Sequence, residues 1–196
     1  MSWKTILGMH GMAWMFKDIW YRLDWRKPTP SSVKKFLIEN VAITRHLTKQ
    51  GVIPVFSERK HDKKIRQIQK YVMDTVAYEI DSVRFGVVEK WQSVDETIQY
   101  ERGDCEDMSI LIYSIARVNG ISPTQIRLVT GTVKLKDDKT GGHCWIEFCS
   151  DETFNWYSVD ACYYPNLDKF KYSIIKNLDT KYIKTWFMVT DFFVSD

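Results

Sequence analysis

Cys105 stands in the run Arg102-Gly103-Asp104-Cys105-Glu106-Asp107, and the residues around it read as a device for presenting a thiol. Apolar residues follow at Met108, Leu111, Ile112, Ile115 and Val118, the three-to-four spacing of one buried helical face. Gly120 closes that helix at the place where a left-handed residue is usually needed. Asp104 suits the N-cap and Asp107 the third helical position, close to a capping-box arrangement. A sulfur in the first turn feels unpaired N–H groups and the positive end of the helix dipole, so its expected pKa lies below that of a free cysteine. Asp104, Glu106 and Asp107 push the other way, and the thiol therefore needs a cationic partner.

His143 and Asp160 supply a candidate for that partner. His143-Cys144-Trp145-Ile146-Glu147-Phe148 and Trp156-Tyr157-Ser158-Val159-Asp160-Ala161 read as two strands joined by a short loop. A hairpin tip at Asp151 and Glu152 sets Glu147 opposite Trp156, Trp145 opposite Ser158, and His143 opposite Asp160. Opposed residues share a sheet face with Cβ atoms about 4.5–5.5 Å apart. Asp160 then holds one imidazole nitrogen and stabilises the imidazolium, which leaves the other nitrogen for a nucleophile. Cysteine, histidine and aspartate together form an acyl-transfer set. A metal reading of His143, Cys144, Cys149 and Cys162 is disfavoured, because strand alternation sends His143 and Cys144 to opposite faces. Cys144 reads as core filling behind His143, and no metal or cofactor is expected.

The elements that must position these groups fall into a helical first part and a stranded second part. Residues 1–30 form an initial unit whose apolar side chains, Trp3, Ile6, Leu7, Met12, Phe16, Ile19, Trp20 and Leu23, fit a helix face loosely; Lys27-Pro28-Thr29-Pro30 ends it. Packing on the main body is the first reading of this arm, and docking to a protein or a membrane surface is the second. Residues 31–196 form the main domain. Ser31 or Ser32 caps a helix bearing Val33, Phe36, Leu37 and Val41, and Val52 to Phe56 is a short extended piece. A long helix starts near Asp62 with Ile65, Ile68, Val72, Val76 and Ile80 on one face, and residues 81–101 are a connector. Ile126 to Leu135 alternates as a strand with Gly131 at a bulge, and Tyr182 to Val194 reads as the last strand. Helices first and strands later give an α+β fold with an antiparallel sheet.

Composition narrows the function classes. With 196 residues, 44% hydrophobic and 27% charged, the chain is an ordinary globular protein with a sizeable core. A net charge of +3 gives no footprint for nucleic acid. The four cysteines lack the spacing of a zinc knuckle or redox motif, so reduced thiols are the default. No signal peptide is read at the N-terminus, and no window approaches the roughly 20 apolar residues of a transmembrane span. A cytoplasmic location is the expectation from composition.

The line Trp91, Glu96-Thr97, Gly103-Asp104-Cys105-Glu106-Asp107, then Gly142-His143, Trp145-Ile146-Glu147 and Ser158-Val159-Asp160 resembles the transglutaminase-like superfamily. Within it, the chain is most similar to the bacterial and phage transglutaminase-like cysteine peptidases, over roughly residues 60 to 165. The resemblance implies a papain-like fold in which the Cys105 helix packs on a sheet carrying His143 and Asp160. It implies acyl transfer on peptide or carboxamide bonds of a protein or peptide substrate through a thioester, with hydrolysis favoured over amine transfer. It also implies an upstream side-chain donor for the oxyanion, Trp91 or Gln92, beside the backbone N–H of Cys105; Trp91 as a packing residue is the competing reading. The alternatives are a protein-crosslinking transglutaminase, or a non-enzymatic phage structural or assembly component on the same fold, and only this resemblance implies a virion-associated location.

Overall fold

The computed structural model describes residues 28–135, 139–162 and 182–195. Most of the apolar arm, residues 1–27, lies outside these. The first helix, α1 (Pro30–Lys49), begins one cap earlier than expected: Thr29 is the N-cap, Pro30 occupies the first turn, and Ser32 returns the capping bond. Its buried stripe includes Val33, Phe36, Leu37 and Val41, as the spacing requires.

Helix α2 (His61–Thr75) carries Ile65, Ile68 and Val72 inward but stops short of Ile80, which is exposed. The chain leaves the helix because Val76 is extended and Ala77–Tyr78 (β1) pairs in parallel with Arg102–Gly103 (β2). The expected extended piece at Val52 to Phe56 forms no strand. The 81–101 connector contains two short helices, α3 (Asp81–Arg84) and α4 (Val94–Tyr100). Ser93 and Glu96 form a capping box at the start of α4, a motif legible in the sequence and passed over. Helix α5 (Cys105–Val118) is nearly all buried and ends before Gly120, whose φ is +89°.

Five strands complete the domain: β3 (Ile126–Lys134), β4 (Thr140–Cys149), β5 (Trp156–Val159), β6 (Tyr182–Val189) and β7 (Val194–Ser195). They form one antiparallel sheet in the order β5-β4-β3-β6-β7. The last strand expected from Tyr182 to Val194 is thus two, broken by a turn in which Thr190 bonds Phe193. One face of the sheet, with Leu128, Cys144, Ile146, Phe148, Phe187 and Val189, packs on α5, which α1 and α2 cover from outside. Trp145, Val129 and Val133 form a smaller cluster with Tyr182 and Met188. The architecture is the α+β arrangement expected, with the Cys105 helix against the antiparallel sheet.

Gly131 marks a bulge, as its place in an alternating run suggested: the β3–β6 register shifts between Thr130 and Gly131. A Cβ there would meet the carbonyl oxygen of Lys184 and lie 2.7 Å from the Trp145 ring. Backbone cannot give way as a flexible side chain does. Gly131→Ala is therefore expected to destabilise the fold by about 1–3 kcal/mol, read as a lower urea midpoint.

Candidate active site

The start of α5 is fixed by one carboxylate. Asp107 accepts from the backbone N–H of Gln92 at 2.7 Å, from the Gln92 side-chain amide, and from the backbone N–H of Asp104 at 3.3 Å. The Gln92 amide also donates to the carbonyl of Arg102 at 3.2 Å. Gly103 permits this knot, since a Cβ there would sit 2.7 Å from the Cβ of Asp107. Helix start, β2 and the residue before α4 are thereby tied together, with Cys105 as the first residue of α5.

The expected pairing of His143 with Asp160 is present, but through a different register. The β4–β5 ladder joins Ile146 to Val159, Glu147 to Ser158, Phe148 to Tyr157 and Cys149 to Trp156. Each partner is two residues further along than a tip at Asp151 and Glu152 gives. The cause is a longer turn, closed by Ser150 N–H to Asn155 carbonyl at 3.0 Å, with Phe154 left-handed at φ 56°. A shift of two keeps every side chain on its face. Asp160 becomes the diagonal neighbour of His143, still within reach: His143 Nε2 and Asp160 Oδ2 are 2.7 Å apart, and both residues are buried. With the carboxylate accepting from Nε2–H, Nδ1 is the nitrogen able to take a proton.

Asp160 is held on every side. Its Oδ1 accepts from Cys162 N–H at 2.8 Å, its Oδ2 from the Tyr182 hydroxyl at 2.9 Å, and its carbonyl from the Gln69 amide at 3.0 Å. Neither Tyr182 nor Gln69 was singled out from the sequence, because both come from elements whose approach only the tertiary fold sets. The His143 ring stacks on Trp145 with centroids 6.0 Å apart, and Trp145 meets Tyr182 at 4.7 Å.

Cys105, His143, Glu106 and Trp91 line one cleft of about 1350 Å³. Asp160 backs His143 from behind. Gln92 is buried and committed to Asp107 and Arg102, away from the cleft. Trp91 is on the wall, its indole N–H donating to Glu89 at 2.9 Å.

The electrostatics differ from the expectation of a lowered thiol pKa. Burial pushes the Cys105 thiol well up, and neighbouring Cys144, Cys162 and Asp104 add to the shift. The thiol donates to Glu106 Oε2 at 3.2 Å. Burial likewise raises Glu106 and Asp107 well above the usual carboxylate range, and raises Asp104 and Glu89. The helix dipole is outweighed by the burial of the first turn among acidic neighbours.

These carboxylates are also what the site offers a cation. Ligand atoms of Asp104, Cys105 and Glu106 lie within 4.8 Å of one another. Asp104 Oδ1 and Glu106 Oε1 are buried with no hydrogen-bond partner among the described residues. The sequence reading took Asp104 only as a cap and weighed metal binding elsewhere, so it missed this cluster.

A family model described as the Transglutaminase-like superfamily matches residues 54–161, just over half of the chain. No curated protein sequence matches. Among solved structures, calcium-bound LapG of Legionella pneumophila aligns with a TM-score of 0.57 and 15% identity, over 82% of this chain and 86% of that one. An EGTA-treated LapG of the same organism aligns with a TM-score of 0.55 and 16% identity, over 81% of each chain. The likeness to LapG is one of fold. Among the described residues, no helix is long and apolar enough to cross a membrane.

Asp81, buried beside Lys90, has its carboxyl pushed up to about 6 by burial and by Asp104. A carboxyl raised in the folded state above its unfolded value near 4 binds more protons when folded, so stability falls as pH rises through that window. The urea midpoint is expected to drop between about pH 4 and 6 on this account, by on the order of 1–2 kcal/mol from Asp81. Asp81→Asn, which keeps an acceptor for the Lys90 N–H, should flatten the drop.

Proposed function

The chain belongs to the transglutaminase-like superfamily, and on that premise we propose that it is a thiol hydrolase of peptide or carboxamide bonds. Cys105 is the nucleophile, His143 the base, and Asp160 the group that orients the base. The observation that carries this reading is the buried His143–Asp160 pair at 2.7 Å, set behind a cleft whose wall also holds Cys105.

The proposed steps are these. Sγ of Cys105 attacks the carbonyl carbon while the thiol proton passes to His143. Because the resting thiol is pushed up rather than down, the proton leaves at the moment of attack and no standing thiolate is needed. Asp160 keeps the imidazole in one orientation and stabilises its cation, a task secured by the donors from Cys162 and Tyr182. The tetrahedral oxyanion takes the backbone N–H of Cys105. The Trp91 indole N–H on the cleft wall is engaged by Glu89 and would have to leave it to serve as the second donor, while Gln92 acts through Asp107 by holding the helix start. Collapse expels the amine, which takes the proton from His143 and leaves a thioester. Water then attacks the thioester, passes a proton to His143, and releases acid and thiol. Cys105 is itself only partly buried on the cleft wall, so solvent reaches it. An amine in place of water would give the crosslinking reaction instead.

A divalent cation is a second reading at the same helix start. LapG is described as calcium-bound in one of the aligned structures. Here Asp104 and Glu106 offer oxygen donors that suit a hard cation, with water completing the shell. Such an ion would offset the like charges crowded around Cys105.

Alkylation by iodoacetamide at neutral pH tests the enzyme reading. Cys105 should react faster than Cys144 or Cys162, and His143→Ala should slow it; equal rates at the three thiols would end the activated-nucleophile reading. With a panel of peptides and glutamine–amine pairs, His143→Ala should cost about 10²–10⁴-fold in turnover, and the product, acid or amide, identifies the acceptor. For the cation, adding calcium in excess of EGTA should raise the melting temperature by roughly 3–6 °C. Glu106→Gln should abolish that rise.

A further inference from the structure

One half-exposed aromatic residue in the cleft is unused by the chemistry above. Trp186 lies on β6 at the point where the register slips: Thr130 pairs with Phe187, and Gly131 with Thr185, so Trp186 is the extra residue of the bulge. Regular alternation would send Trp186 and Phe187 to opposite faces. The bulge instead puts both on the cleft wall. Gly131 also pairs with His143 on its other side, so the bulge stands level with the base.

The indole is held, not loose. Its N–H donates to the Thr132 hydroxyl at 3.0 Å. Its far edge lies over Gly142, the residue before His143, where a Cβ would come within 3.0 Å of the ring. Half of the residue's surface remains open. A large ring fixed in place before binding adds contact area with little loss of rotamer freedom. Phe85, Val87 and Val88 line the same cleft and are apolar as well. A cleft so lined asks for an apolar occupant that arrives together with the reacting carbonyl.

We propose that Trp186 is the floor of a subsite that takes a large apolar side chain of the acyl substrate, next to the bond under attack. The assignment rests on the reading of Cys105 and His143 as the reacting pair. It deepens that reading by naming the substrate class: peptides with a bulky aliphatic or aromatic residue near the scissile bond.

Two measurements on the full chain separate the two claims. In the first, the ¹⁵N-labelled indole N–H of Trp186, assigned with Trp186→Phe, is followed by NMR during titration with N-acetylphenylalaninamide, N-acetylserinamide and N-acetyllysinamide. A saturable shift with the phenylalanine amide alone is expected. No shift, or a larger one with the lysine amide, would overturn the apolar subsite whether or not Cys105 is reactive. In the second, alkylation of Cys105 by iodoacetamide is compared with that by iodo-N-(2-phenylethyl)acetamide. The phenylethyl reagent should react about tenfold faster. Trp186→Ala should remove that preference and Trp186→Phe should keep most of it, the preference being read in each variant as the ratio of the two reagents' rates. A preference that survives Trp186→Ala overturns the assignment. A slow iodoacetamide reaction in the unaltered protein overturns the enzyme reading instead.

Discussion

Everything in the cleft depends on a single buried carboxylate at the third position of α5. Asp107 gathers both donors of Gln92 and the backbone N–H of Asp104. It thereby fixes where the helix begins and where the sulfur of Cys105 points. An unpaired charge in that place would be costly, and a half-satisfied one would let the helix start wander. Gly103 belongs to the same constraint, since only a residue without a side chain lets Asp107 fold back over the entering strand. The position of the proposed nucleophile is thus set by Asp107, Gln92 and Gly103.

The price of this arrangement is electrostatic. Asp104, Glu106 and Asp107 satisfy the helix start and sit where the dipole is positive, yet they crowd acidic groups around a thiol. Burial raises these groups together, so each is harder to ionise. On the same cleft His143 is backed by Asp160, whose carboxyl accepts from Cys162 and Tyr182 as well. Acid-rich helix start and supported imidazole meet on one cleft: the first positions the sulfur, and the second is the proposed acceptor of its proton.

Much of this was legible in the residues. The 3.6 period from Met108 to Val118, the Asp104/Asp107 cap, the Gly131 bulge and the helices-then-strands order all express local rules, and the structure follows them. His143 and Asp160 met because parity survives a shift of two, although the assumed turn was too short. What local rules could not supply came from distant contacts. The exit of α2 into β1 depends on Arg102–Gly103 being there to pair with it. The Tyr182 hydroxyl reaches Asp160 only because β6 lies beside β3. The direction of the Cys105 shift differs from the expectation for a similar reason: a helix dipole can be read from a sequence, whereas the burial of the first turn cannot.

Strand β6 holds one more consequence. Its ladder with β3 slips twice within a few residues, skipping Trp186 and then Ile183. Phe187 and Val189 lie beyond both slips and stay in the core, while the two slips together restore parity at Tyr182, which meets Asp160. In this stretch the spacing of the chain carries more information than the identity of its side chains. Losing a single residue between Tyr182 and Phe187 would let the strands pair more regularly, yet would rotate the aromatic wall and the tyrosine hydroxyl away together.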